Sequence, residues 1–307
     1  MKILISGASG LVGTAATAAL RSGGHTVAHL VRSGGKRSSG DVRWDPPSGF
    51  IDADAMEGAD AILHLAGAGI GDARWSTARK QLLRGSRVDA TRVLVAGIAK
   101  LRQKPRVLIA ASAVGYYGNR GDERLTESSA NGEGFLAALA RDWEAESPRA
   151  ESLGVRTVLL RLGMILSRRG GALPRMLAPF KLGLGGRLGS GKQWISWIAL
   201  EDVIGVIRRA LADEKLSGPV NVVAPNPVRN AEFTRALAHA VRRPAIFPAP
   251  AFALRLALGE MADELLLGSQ RAEPQRLLGA GFAFQFPELG AALGSILGHG
   301  EQGGKLH

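Results

Sequence analysis

The stretch Ser6-Gly7-Ala8-Ser9-Gly10-Leu11-Val12-Gly13 decides the fold. It follows Lys2-Ile3-Leu4-Ile5, which reads as a short buried strand, and runs into the alanine-rich residues 11–21, which read as a helix of high intrinsic propensity. Gly23-Gly24 stops that helix. The glycine spacing is G-x-x-G-x-x-G. Gly7 permits a tight turn, Gly10 lets the backbone approach a pyrophosphate, and Gly13 lets the helix pack close to the strand. A helix start offers free N–H groups and a positive dipole end to phosphates. Three glycines between a strand and a helix that open a βαβ unit therefore predict a dinucleotide site.

Working outward, residues 26–31 read as a second strand and 33–40 as a polar, glycine-rich loop. A short helix near 52–57 precedes a strand at 61–65, and a long helix with charged and apolar faces is expected over 77–100. Strand 106–111, helix 135–151 and strand 156–161 continue the alternation. Strands alternating with helices predict a doubly wound, Rossmann-like parallel α/β sheet covered on both faces. After about Gly163 the pattern loosens into Gly-, Arg- and Pro-rich sequence and short helices broken by Pro250, Gly259, Pro274 and Pro287. The expected organisation is a nucleotide-binding domain over 1–165, with 198–224 returning to it. A smaller C-terminal region over the cleft spans 166–298 and carries the substrate side, and 299–307 is a mobile tail.

An NAD site carries an acidic residue about 20 positions beyond the glycines, bonding the ribose hydroxyls. Arg32 stands there instead, with Lys36 and Arg37 after it. A guanidinium suits a 2′-phosphate, so NADP(H) is the expected cofactor.

Composition sets the outer limits. The 307 residues are 46% hydrophobic and 21% charged, enough for a sizeable core. No apolar run approaches the ~18–20 residues of a membrane span, and the N-terminus reaches glycine too early for a signal peptide, so a cytoplasmic protein without a membrane partner is expected. The absence of cysteine excludes disulfides and thiolate chemistry. The net charge of +12 comes mostly from arginines spread along the chain without a basic run, which points to a small anionic ligand and not to nucleic acid. The histidines show no metal-ligand spacing, and His64, in an apolar strand, reads as a core residue. Gly186 to Lys192 fits the start of a P-loop, but Gln193 replaces its Ser/Thr and no helix follows.

Beyond these readings the chain resembles a known family. Residues 6–13, His64-Leu65-Ala66-Gly67 and Ala111-Ser112-Ala113-Val114-Gly115-Tyr116-Tyr117-Gly118 look like an extended short-chain dehydrogenase/reductase. Arg161-Leu162-Gly163, Gly189-Ser190-Gly191-Lys192-Gln193, Ser196-Trp197-Ile198, Asn221-Val222-Val223-Ala224-Pro225, Gly281-Phe282-Ala283-Phe284 and Pro287-Glu288-Leu289 are similar to the atypical "epimerase family" (YfcH-like or SulA-like, labelled sugar-nucleotide epimerases). The resemblance implies an NADP(H) site at the carboxyl edge of the sheet. Gly7, Ser9, Gly10, Leu11, Val12 and Gly13 would hold the pyrophosphate, Val31 and Arg32 the adenosine end, and Leu65 and Ala66 the adenine-ribose side. Arg87 would point from the long helix at the cofactor and Ile165 would lie near the nicotinamide. By analogy, pairing through the long helix would give a homodimer.

The resemblance also exposes a gap. The superfamily's typical Y-x-x-x-K supplies the proton donor and its lysine from the helix after the fifth strand. The chain has only two tyrosines, Tyr116 and Tyr117, and aligning Glu144 with the family places Leu136 and Ala140 where tyrosine and lysine belong. Ser112 keeps the expected serine position. The catalytic candidates are therefore Ser112, to bind a substrate oxygen, and Tyr116 or Tyr117, to move the proton; Asp122, Glu123 and Glu127 form an acidic loop nearby, and Arg161, after a strand, suits an anionic substrate group or local carbonyls. Gln193, Trp194 and Trp197 are either core or contacts to a planar or sugar-like ligand. Two functions follow: an NADP(H)-dependent oxidoreductase or epimerase on a small, possibly nucleotide-sugar-like substrate, or a non-catalytic NADP(H)-binding redox sensor or scaffold.

Overall fold

A computed structural model describes residues 1–32, 35 and 38–298; Lys36, Arg37 and the tail 299–307 lie outside the described residues. The chain begins with β1 (Lys2–Ser6), the glycine turn and α1 (Leu11–Ser22). β2 (Thr26–Arg32), β3 (Val42–Asp45), β4 (Phe50–Ile51), α2 (Ala53–Met56) and β5 (Ala61–His64) follow. Next come α3 (Thr77–Arg84), α4 (Ala90–Lys100), β6 (Val107–Ala113), α5 (Phe135–Glu144) and β7 (Arg156–Leu162). α6 (Ala172–Lys181), α7 (Leu200–Ala212), β8 (Gly218–Val222) and α8 (Asn230–Ala240) precede a last helix at Leu289–Gly298.

One eight-stranded sheet runs in the order β8-β7-β6-β5-β1-β2-β3-β4. Its central strands are apolar through their middles because helices cover both faces: Ile3, Leu4, Ile5, Ile62, Leu63, Leu108 and Ile109 are all buried. Each such side chain contributes about 1.5–3 kcal/mol. β1 pairs in parallel with β2 and with β5, and β5 pairs in parallel with β6. Ser6 lies opposite Leu30 on one side and His64 on the other, and His64 lies opposite Ala110. Parallel pairing in this register brings the carboxyl ends of four strands to one edge. The winding reverses at β1, so this edge is the switch point at which such sheets bind ligands. The doubly wound parallel α/β class read from the sequence is the observed one. β3 and β4, an antiparallel pair with Trp44 opposite Ile51, carry too few residues to stand out by periodicity.

The long helix expected over 77–100 is interrupted. Residues Gly85–Asp89 form a π turn between α3 and α4. Such turns widen the backbone spiral by one residue and redirect a side chain, here Arg87. The helix expected over 135–151 likewise ends at Glu144, and a 3₁₀ segment at Ser147–Leu153 carries the chain to β7.

Two compact units result. The first comprises Met1–Tyr116, Phe135–Arg161 and Ile204–Val220, with Leu4, Leu30, Trp44, Ile62, Leu94 and Leu108 among its core. The second comprises Tyr117–Gly134, Leu162–Val203 and the chain from Asn221 on, with Phe180, Trp197, Phe233, Leu237 and Leu293 at its centre. Tyr117–Gly134 enters the second unit because Arg124–Leu125 pairs in parallel with Arg271–Ala272.

Candidate functional site

The glycine turn is built as its spacing implies. Gly7 has φ +70°, and a Cβ there would lie 2.7 Å from the Leu65 carbonyl carbon. A Cβ on Gly13 would lie 2.2 Å from Gly7 O, so only glycine lets α1 close on the strand. At Gly10 the same test gives 3.3 Å to Gly7 O, while Gly10 N–H donates to Gly7 O at 3.0 Å and Gly10 O accepts from Thr14 N at 2.9 Å. No side chain caps α1, whose Gly10 cap is extended, which leaves its first N–H groups pointing out of the helix end. Ser9 and Gly10 are exposed, Leu11 and Val12 half-buried, and Gly13 buried.

Beneath the turn lies a buried polar chain. Ser6 Oγ accepts from Leu65 N at 3.1 Å and Ala66 N at 3.2 Å, so its own proton goes to His64 Nδ1 at 2.6 Å. His64 therefore carries its proton on Nε2 and donates it to Thr91 Oγ1 at 2.9 Å. Thr91 also accepts from Trp143 Nε1 at 3.0 Å and donates to Arg87 O at 2.7 Å. Every donor finds an acceptor with His64 neutral. Burial pushes the imidazole down to about 4, which agrees with that tautomer. The core reading of His64 was available from the sequence, but its role in pinning Leu65 and Ala66 against Gly7 was not.

Arg87 packs under the loop after β5. Its Nη2 donates to Ala68 O at 2.9 Å, its Cζ lies 5.3 Å from the Trp143 ring centre, and a Cβ on Gly67 would come within 3.1 Å of it. Burial, then the nearby Arg79, lowers its pKa to about 10, so it stays charged at neutral pH. At the end of β2, Val31 is half-buried and Arg32 exposed. The nearby acid Asp41 turns inward, accepting from His29 N at 2.9 Å and Ser38 N at 2.7 Å.

The carboxyl end of β6 carries an ion-paired cluster that sequence spacing did not reveal. Ser112 Oγ donates to Glu144 Oε1 at 2.5 Å. Arg161, at the end of β7, grips the same carboxylate with Nε at 2.9 Å and Nη2 at 2.8 Å. Its guanidinium lies 3.6 Å from the centre of the Tyr116 ring. Glu144, Arg161 and Ser112 are 9%, 3% and 2% exposed, so this is a buried, hydrogen-bonded pair. Leu136 and Ala140 bring no acid or base; Leu136 packs against Gly115.

The remaining candidates separate. Tyr117 is fully buried in the second unit, its Oη 2.7 Å from Asn221 Oδ1 and 2.9 Å from Thr126 O. Ile165 lies in the second unit, paired in parallel with Ile198. Glu127 is buried and accepts from Asn221 N at 3.0 Å, and Glu123 pairs with Arg120. Asp122 bonds Trp194 Nε1 at 2.9 Å and Arg229 at 3.0 Å, and these two partners, Arg229 first, hold its carboxyl below the usual range. Trp197 is core, and Gln193 Nε2 ties Leu188 O to Leu266 O. Trp194 lies between Arg229 and Arg271, whose guanidinium carbons are 4.6 and 4.4 Å from the ring centre.

With this geometry established, comparison with known proteins adds the following. The model of the NAD dependent epimerase/dehydratase family matches residues 3–224, and a domain of unknown function, DUF1731, matches residues 249–296. "Epimerase family protein Mb2239" of Mycobacterium bovis is 48% identical over 292 residues, covering 95% of this chain and 96% of that protein. "Epimerase family protein YfhF" of Bacillus subtilis is 38% identical over 301 residues, covering 97% and 98%. The crystal structure of human epimerase family protein SDR39U1 (isoform 2) with NADPH is similar at a TM-score of 0.87 and 34% identity, over 97% of this chain and 99% of that one. Among the described residues no helix is long and apolar enough to cross a membrane.

Proposed function

We propose that this chain, which belongs to the NAD-dependent epimerase/dehydratase family, is an NADP(H)-dependent oxidoreductase or epimerase that works without the Y-x-x-x-K pair. One observation carries the reading. Ser112 and Tyr116 are held together at the carboxyl end of β6 by the buried Glu144–Arg161 pair. A polar cluster of this kind, beside a nucleotide-binding edge, is costly to bury unless its geometry is used.

The dinucleotide fits the first unit. The glycine turn closes this tightly only with glycine at Gly7 and Gly13, where a Cβ would strike backbone, and the free N–H groups of α1 suit a pyrophosphate. Arg32 at the end of β2, with Asp41 turned inward, favours a 2′-phosphate over ribose hydroxyls. The NADPH bound by the human relative supports the same choice. When bound, the nicotinamide supplies or takes up a hydride. In this reading Arg87 buttresses the Gly67–Ala68 loop. Ser112, whose proton is committed to Glu144, presents lone pairs and accepts a hydrogen bond from a substrate hydroxyl. Tyr116 moves the proton, and Arg161 fixes its ring by stacking. Tyr117 leaves the catalytic set because its hydroxyl is buried between Asn221 and Thr126.

A second reading, a non-catalytic NADP(H) sensor, is favoured by one observation: Leu136 and Ala140 of α5 supply no acid or base where the superfamily carries its tyrosine and lysine. Titration with NADPH and NADH, followed by a panel of carbonyls and nucleotide sugars with product analysis, separates the two. Turnover that falls roughly 10²–10⁴-fold in Tyr116→Phe, with NADPH affinity unchanged, supports the enzyme. Tight NADPH binding with no oxidation and no altered product transfers the reading to the sensor.

A further inference from the structure

We infer that the second unit carries an anion site, separate from the dinucleotide edge, that takes a phosphate monoester of an apolar alcohol. A cavity of about 530 Å³ is lined by Arg168, Lys181, Arg242 and Arg243 together with Leu177 and Leu297. That volume falls within the range of small-molecule sites.

The cations stand at the ends of helices. Lys181 closes α6, Arg242 and Arg243 follow α8, and Leu297 lies in the last turn of the final helix. The simplest account is that they neutralise three negative helix ends. Each end carries roughly half a negative charge, about −1.5 in total, and four cations exceed that by more than two charges. Among the described residues no carboxylate pairs with any of the four and no acidic side chain lines the cavity. Arg168 donates only weakly, from Nη1 to Leu297 O at 3.4 Å. Arg242 also occupies a backbone conformation that favours glycine, with φ +52°, in a turn where its N–H donates to His239 O at 3.1 Å. An arginine accepted at such a position puts a cation where a cheaper residue would close the helix.

The rest of the lining selects the body of the ligand. Leu177, Val241 and Leu297 supply apolar surface, and among the described residues no lining side chain is a hydrogen-bond acceptor or an aromatic ring. An alkyl chain is accommodated without loss, and a monoester near pH 7.5 supplies close to the two charges required.

Calorimetry on the full chain tests this with hexyl phosphate, inorganic phosphate, hexanol and vesicles of phosphatidic acid in phosphatidylcholine. Hexyl phosphate is expected to bind one per chain, at least tenfold more tightly than inorganic phosphate, with equal affinity in saturating NADPH and weaker affinity at pH 5. Hexanol gives no heat. Arg168→Ala/Lys181→Ala and Arg242→Gly/Arg243→Ser are each expected to weaken hexyl phosphate at least tenfold without changing NADPH affinity. Arg242→Gly relieves the positive φ, so loss of binding in that variant is not a loss of fold. Absence of hexyl phosphate binding, undiminished binding in the variants, or competition by NADPH overturns the inference. Retention on vesicles without binding of the soluble ester also overturns it, in favour of a lipid headgroup.

Discussion

Replacing Glu144 by alanine should destabilise the first unit strongly. Its carboxylate accepts three hydrogen bonds, from Ser112 at 2.5 Å and from Arg161 at 2.9 and 2.8 Å. Arg161 is 3% exposed, so water cannot replace the lost partner and the guanidinium is left with a buried, poorly compensated charge. Breaking a buried pair in this way costs about 3–5 kcal/mol, against about 1.5–3 kcal/mol for losing only the Ser112 bond in Ser112→Ala. At roughly 2–4 °C per kcal/mol for a unit of this size, the melting temperature should fall by roughly 6–20 °C. Arg161→Met should cost a similar amount, and the double variant Glu144→Ala/Arg161→Met less than the sum of the two, because it removes both charges from the interior. Urea unfolding of the four proteins, read by circular dichroism, gives the cycle. A Glu144→Ala cost below about 1 kcal/mol, or strict additivity in the double variant, would refute the argument by showing that the pair is hydrated.

Other outcomes follow from the same geometry. His64 is neutral and held at about 4 in the fold, below its unfolded 6.5. The unfolded chain therefore binds the extra proton between these values, and stability, intact above pH 6.5, should fall by about 3 kcal/mol as pH drops to 4. His64→Gln should flatten that part of the pH profile in urea unfolding. Gly13→Ala, whose Cβ would lie 2.2 Å from Gly7 O, should weaken NADPH binding at least tenfold by fluorescence titration and lower the melting temperature, since backbone must move. Arg32→Asp should reduce the NADPH over NADH preference by roughly tenfold or more, an exposed charge-assisted bond being exchanged for a repulsive one. Tyr117→Phe should cost about 1–3 kcal/mol of stability, by orphaning Asn221 Oδ1 while Thr126 O keeps its bond from Ser129 N, and leave NADPH affinity untouched.

Reading the sequence went furthest where the controlling physics is local. The β1–turn–α1 unit, the glycine spacing at the helix start and Arg32 in place of an acid are all set within about 30 consecutive residues. The break in the long helix was not legible, because the π turn at Gly85–Asp89 has ordinary helix-forming residues around it and is stabilised by what Arg87 and Thr91 reach across space. The acids of the loop after β6 looked alike in sequence, but Glu127 is consumed by backbone N–H groups, Glu123 by Arg120 and Asp122 by Arg229 and Trp194.

A doubly wound sheet with an uncapped glycine turn before its first helix is legible in the chain alone, since glycine sterics and strand patterning act over a few neighbouring residues. Which polar groups meet at the strand ends depends on tertiary packing. Ser112, Glu144 and Arg161 meet across separations of 32 and 17 residues. Tyr116 and Tyr117, adjacent in the chain, part company there: one ring lies against Arg161 in the first unit, and the other is sealed against Asn221 in the second. No local pattern separates two neighbouring tyrosines, because what distinguishes them is the partner that long-range packing brings to each.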